Sequence, residues 1–214
     1  MKTARQLGTS LEILAEFCIR GIQAKGEKGF EILEVIPNLE IRKRLRTTNG
    51  SLHKKKYNAR QYDVVYLARQ NGKIFSEFIE VKYTSSVVGM FREKQRIVSS
   101  YNGKKVIIYD PVDQVLTGYH YGDFRKGFLQ TNGGFSKQIT KKAMQNGVSL
   151  LGKSGFDKAF MHYGKPALEQ FYGNMLGNKR QSYQIMMQSL PNVTEAAQMI
   201  DLRFHNVWKT VKYI

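Results

Sequence analysis

A chain of 214 residues has room for one sizeable core, or for a domain of about 100–150 residues with a small appendage. Its 34 lysines and arginines against 17 acids give a formal charge of +17, which suits a polyanionic partner such as nucleic acid. The single cysteine, Cys18, excludes an intrachain disulfide framework and a cysteine-built zinc site. No apolar run reaches the roughly 18 residues of a membrane span, and the opening MKTARQLGTS lacks the apolar centre of a signal peptide, so a soluble, cytoplasmic protein without membrane contact is expected.

In chain order, Thr9 or Ser10 is a candidate N-cap for an amphipathic helix. Its apolar stripe is Leu11, Leu14, Ala15, Cys18, Ile19 and Ile22, and its polar face carries Glu12, Glu16 and Arg20. Phe30 to Ile36 reads as a strand ended by Pro37. Between Ile41 and Arg60 stand Arg42, Lys43, Arg44, Arg46, Lys54, Lys55, Lys56 and Arg60 with no acid, either a solvated loop or an arm that grips DNA phosphates. Asp63 opens an apolar run, Asn71-Gly72 signals a type I′ turn, and a second strand from Ile74 ends on Glu80-Val81-Lys82. Met90 to Tyr101 reads as a helix ended by Asn102-Gly103, and Lys105 to Tyr109 as a buried strand. A further strand is expected at Gln114–Tyr121 and a loop from Gln130 to Gly134. Short helices follow at Phe156–His162 and Ala167–Tyr172, interrupted at Gly164-Lys165-Pro166.

From Val193 to Lys212 the pattern is that of a helix-turn-helix, or of an amphipathic hairpin completing the core. Thr194 is the N-cap and Ala197 is small where two helices cross. Arg203, His205, Asn206, Lys209 and Lys212 are offered to a groove, and Asp201 stands where such motifs usually carry a turn glycine. The four histidines have no metal-ligand spacing.

The hairpin carries the chemistry. Residues two apart on a strand share a face, so Glu80 and Lys82 project together, and in-register pairing brings Asp63 beside them. Two close carboxylates repel and are best kept ionised by a hard divalent cation, which stabilises a developing phosphorane and acidifies a water that the ammonium positions or deprotonates. This is the chemistry of phosphodiester hydrolysis.

In this setting the trio resembles the PD-(D/E)XK nuclease superfamily, which includes type II restriction enzymes and archaeal Holliday-junction resolvases. Asp63 matches the first acid, Glu80 the second and Lys82 the lysine, with Val81 at the variable position. Gln61-Tyr62 replaces the proline that many members carry before the acid. The resemblance implies an α/β fold, with a restriction-endonuclease-like mixed central sheet flanked by helices and a helical C-terminal region. It implies Mg2+ (or Mn2+) held by Asp63 and Glu80, a glutamate of the first helix (Glu16 or Glu12) near the metal, and Gln95 near the site. The expected division is a nuclease core over 1–111, its completion and a helical region over 112–190, and a DNA-binding segment over 191–214. The expected activity is endonucleolytic cleavage of branched or sequence-specific duplex DNA by a homodimer. The rival is a non-catalytic DNA-binding protein that uses the tail.

Overall fold

The computed structural model describes residues 2–46, 52–91, 97–101, 104–176, 189–205 and 210–213. Helix α1 (Ala4–Lys25) starts earlier than Thr9 because Thr3 and Gln6 form a capping box: the Gln6 N–H donates to Thr3 Oγ1 and the Thr3 N–H to Gln6 Oε1, at 3.3 and 2.9 Å. Ser10 is instead a buried residue that accepts a hydrogen bond from Lys2 Nζ at 2.8 Å. Lys2 also donates to the carbonyls of Ala197 and Ile200, which ties the start of the chain to its later part.

A six-stranded mixed sheet follows, giving the α/β architecture that the order of elements implies. It is built from β1 (Phe30–Arg46), β2 (Leu52–Gln70), β3 (Lys73–Lys82), β7 (Lys126–Thr131), β9 (Ser149–Leu151) and β10 (Thr210–Tyr213). Their spatial order is β10-β1-β2-β3-β7-β9, with β2 antiparallel to both of its neighbours β1 and β3, and β3, β7 and β9 parallel. Two small ladders sit apart: β4 (Val87–Val88) with β8 (Gly134–Phe135), and β5 (Ile97–Tyr101) with β6 (Lys104–Ile108). Pro37 does not end β1. It pairs with Val64 of β2, and the strand continues past it through Leu39–Tyr62 to Arg46. The basic segment is therefore no loop: β1 and β2 run on as a long antiparallel ribbon as far as the Arg46–Leu52 pair.

One core lies between the sheet and α1, α4 (Lys153–Ala159), α5 (Lys165–Leu176) and α6 (Val193–Met199). The other lies under α2 (Pro111–Gly118) and α3 (Lys137–Gln145). Val35 and Val64 belong to the first core, whereas Leu39, Ile41 and Tyr62 belong to the second. Strict alternation would put Val64 and Tyr62 on one face, so both strands rotate between the Pro37–Val64 and Leu39–Tyr62 pairs. Asn38, at a φ of 50°, and Asp63 lie at that rotation.

Three local readings are corrected. Ile97–Tyr101 is a strand, its β-branched and hydroxyl residues pairing with Lys104–Ile108 across two connecting residues. Gln114–Gly118 is helical because Asp110 caps α2, its Oδ1 accepting from Val112 N and Asp113 N at 2.8 and 3.0 Å, with Pro111 at the first helical position. The expected break at Gly164-Lys165-Pro166 is a π-helical turn, Phe160–Gly164, that joins α4 to α5. Lys165 N–H bonds Phe160 O, and the proline that cannot donate enters α5 without a gap.

The tail is not a helix-turn-helix. Among the described residues after α6 there is a 3-10 turn at Leu202–Phe204, and Thr210–Tyr213 pairs in parallel with β1. Val193, Ala196, Ala197 and Ile200 are buried against α1, so α6 and the residue after it complete the core rather than standing apart. Among the described residues no helix is long and apolar enough to cross a membrane.

α1 and the π turn touch through glycines. A Cβ on Gly21 would sit 2.1 Å from the Tyr163 carbonyl oxygen, and one on Gly164 would sit 2.8 Å from Cys18 Sγ. Gly21→Ala is therefore expected to destabilise the protein by about 1–3 kcal/mol, the scale of overpacking, seen as a lower urea midpoint. An unchanged midpoint would mean that the two helices part without cost.

Candidate active site

The turn at Asn71 and Gly72, with φ of 51° and 77°, has the two positive values that a type I′ hairpin needs. It fixes the register from Gln70–Lys73 to Val64–Ile79, which brings Asp63 level with Glu80. There the ladder stops. β3 stays paired with β7 through Glu80–Leu129, Val81–Gln130 and Lys82–Thr131, while Asp63 Oδ2 accepts the Val81 N–H at 2.7 Å. A side-chain oxygen thus takes the place of a ladder bond at the fork.

Glu80 is only 2% exposed. Lys82 Nζ donates to its Oε1 at 2.7 Å, and Arg60 Nη2 donates to its Oε2 at 2.6 Å. Burial works against its charge, but Lys82 and Arg60 together hold the carboxyl below its ordinary pKa. Arg60 also donates to the Gln114 carbonyl at 3.1 Å and lies 5.4 Å from the centre of the Tyr62 ring. Lys82 is likewise opposed by burial, yet Glu80 and then Asp63 raise its pKa, so it is an ammonium at neutral pH.

Asp63 behaves differently. Burial first, and the negative charge of Glu80 second, push its carboxyl well above the ordinary range. Lys82 and the Val81 N–H oppose this, and Glu12 adds to it. Glu12 of α1 is raised chiefly by burial, partly offset by Lys82 and reinforced by Glu80. The first-helix acid at the site is thus Glu12 and not Glu16, which pairs with Arg20 one turn along at 2.7 Å.

Among the described residues, no three histidine, cysteine, aspartate or glutamate side chains form a ready metal cage. The donor set still fits a hard cation that keeps most of its waters. It offers carboxylate oxygens only, and Asp63 and Glu12 are pushed toward protonation by burial and by neighbouring negative charge, which a nearby cation relieves.

The other expected contacts divide. Arg42 pairs with Glu40 at 2.6 Å, Lys43 donates to the His120 carbonyl, Arg60 holds Glu80, and Arg203 pairs with Asp201 at 2.6 Å. Arg60 is accordingly a partner of the site rather than a free phosphate contact. Gln95, Asn206 and Lys209, and the side chains of Arg44, Arg46, Lys54, Lys55 and Lys56, lie outside the described ones. Sequence spacing did not reveal Arg60 as the partner of Glu80, because the rotation of β2 beside Asn38 and Asp63 leaves no periodic trace.

No family model and no curated protein matches this sequence. Among solved structures, protein VC1899 from Vibrio cholerae is 14% identical with a TM-score of 0.44, over 72% of this chain and 32% of that one. A protein of unknown function, AF1548, is 16% identical with a TM-score of 0.37, over 67% and 59% respectively. This chain spans less than two thirds of either, and at these scores neither likeness bears on function.

A raised folded pKa means that the stability contributed by Asp63 is present at low pH and lost as pH rises through that pKa. Asp63→Asn removes the loss while keeping an oxygen for the Val81 N–H. In EDTA the variant is expected to melt higher than wild type at alkaline pH, with the gain fading as pH falls to the ordinary carboxylate range. A melting difference that does not vary with pH would contradict the strained charge.

Proposed function

We propose that this protein is a metal-dependent nuclease that hydrolyses phosphodiester bonds in DNA. The observation that carries the proposal is the fork: one hairpin brings Asp63 level with Glu80 and Lys82 at the end of a ladder, with Glu12 close enough for its charge to be felt. Mg2+ or Mn2+ held by Asp63 and Glu80 beside Glu12 would supply Lewis-acid polarisation of the phosphate and an acidified water. Lys82, kept charged by Glu80 and Asp63, positions the attacking water and balances the negative charge that builds on the phosphate oxygens, a role for a cation rather than a general base. Glu80 orients Lys82, and Asp63 is held in place by the Val81 N–H.

The formal charge of +17 and the long β1–β2 ribbon rising from the fork support nucleic acid as the substrate. An endonuclease that cuts both strands needs two active sites, which a homodimer provides. With Thr210–Tyr213 a strand and no second helix among the described residues of the tail, the support for a sequence-reading element is weaker than the support for backbone binding. One observation favours the rival, non-catalytic reading: both oxygens of Glu80 are already taken by cations, as in a purely structural ion-pair cluster.

Cleavage of a synthetic four-way junction and of long duplex DNA in Mg2+ separates the two. Asp63→Ala and Lys82→Ala are each expected to lower the cleavage rate by at least about a hundredfold, the usual cost of removing one charge-stabilising group, with DNA affinity retained. A wild type that binds but never cuts, with binding unchanged in both variants, would overturn the nuclease.

A further inference from the structure

The parallel strands β3, β7 and β9 open at their carboxyl ends onto a crevice of about 780 Å3. That is where ligands lodge in open α/β sheets, and the size lies within the roughly 300–1,000 Å3 usual for small-ligand sites. The crevice begins at Tyr83, the residue after Lys82, so one of its walls starts where the strand that carries Glu80 and Lys82 ends. Its walls come from the segments that leave the three strands, 83–86, 132–134 and 152–155, closed by Thr194 at the start of α6.

The lining has a consistent chemistry. Thr84, Ser85, Ser86, Ser154 and Thr194 bring hydroxyl-bearing side chains to the lining, and among the described residues that line it Lys153 is the one charged residue and none carries a carboxylate. Glycine is required in one wall: a Cβ on Gly133 would lie 2.4 Å from Thr84 Cγ2 and 2.5 Å from the Ser86 carbonyl oxygen, so the backbone itself is the surface there. Asn132, only 6% exposed, clamps the adjoining wall, taking the Thr84 N–H on Oδ1 and donating from Nδ2 to the Thr84 carbonyl, both at 2.9 Å. Hydrogen-bond donors, one ammonium and no acid suit an anion with several acceptor oxygens.

We propose that this crevice is a nucleotide-phosphate site. Resting on the nuclease reading, it seats the backbone phosphate next to the one that meets Asp63, Glu80 and Lys82. The same chemistry accepts the phosphate of a free nucleotide, so both sources are tested.

Lys153 and Ser154 are exposed, which makes the double variant Lys153→Glu, Ser154→Glu safe for folding, with unchanged melting as the control. Binding of a short fluorescein-labelled DNA duplex is followed by anisotropy across a salt series in EDTA. The variant is expected to bind at least about tenfold more weakly, with the slope of log affinity against log salt reduced by about one, the signature of a lost phosphate contact. Adenosine 5′-monophosphate titrated calorimetrically into both proteins separates the sources. Heat seen with wild type and lost in the variant assigns a free nucleotide, whereas a change confined to duplex DNA assigns the strand. Equal duplex affinity and salt slope in the two proteins, with equal nucleotide heats, would overturn the site. If wild type does not cleave DNA in Mg2+ but the charge reversal still weakens binding, the nuclease falls and the crevice stands. If wild type cleaves and the reversal changes nothing, the crevice falls alone.

Discussion

The hydrogen bond from the Val81 N–H to the Asp63 carboxylate marks the place where two strands stop being partners. Had the ladder continued, Asp63 and Glu80 would face each other as a like-charge pair across neighbouring strands, which is destabilising. The sheet instead forks. β1 and β2 rotate and carry Leu39, Ile41 and Tyr62 into the core beneath α2, while β3 keeps its pairing with β7. Glu80 can remain almost fully buried because Lys82 and Arg60 each take one of its oxygens, and losing one partner of such a buried pair typically costs about 3–5 kcal/mol. The acidic cluster, the division of the core and the departure of the ribbon share this origin.

Arg60 ties those features together. It stands at the root of the ribbon, paired with Ile41 in the ladder, and its guanidinium reaches both Glu80 and the carbonyl of Gln114 near the middle of α2. A movement of the ribbon is therefore felt by the acid at the fork. Some of the ribbon's positive charge is offset within the protein, Arg42 by Glu40, so its field is weaker than the basic count suggests, while Lys43 keeps its charge but is tethered to the His120 carbonyl.

The hairpin was legible because its information is local: a two-residue turn that demands positive φ, flanked by alternating apolar residues, sets the register that brings Asp63 to Glu80. α1 was legible by its period, although the Thr3–Gln6 box that starts it lies outside the apolar stripe. Failures came where a local signal has two meanings. Asp110-Pro111 can close a strand or open a helix, and here Asp110 opens one, further fixed by Lys142 at 2.6 Å. Asn102-Gly103 can end a helix or join two strands, and the β-branched Ile97, Val98, Val106, Ile107 and Ile108 mark the second. The choice of Glu12 over Glu16, the partnership of Arg60 and Glu80, and the parallel pairing of Thr210–Tyr213 with β1 depend on contacts between distant segments, which periodicity does not encode.

The pairing of β10 with β1 also bears on the order in which the protein assembles. The hairpin that brings Asp63 level with Glu80 spans residues 63–80 and closes on a tight turn, so loop-closure entropy favours its early formation. Closing the far side of the sheet waits for residues 210–213, and pinning the start of α1 waits for the Lys2 bond to Ala197, 195 residues along the chain. During that interval the outer side of β1 is an unpaired edge beside a half-covered helix, the kind of surface on which another chain adds a strand. The strand contributed by residues 210–213 thus covers an edge that the rest of the sheet leaves to the last part of the chain.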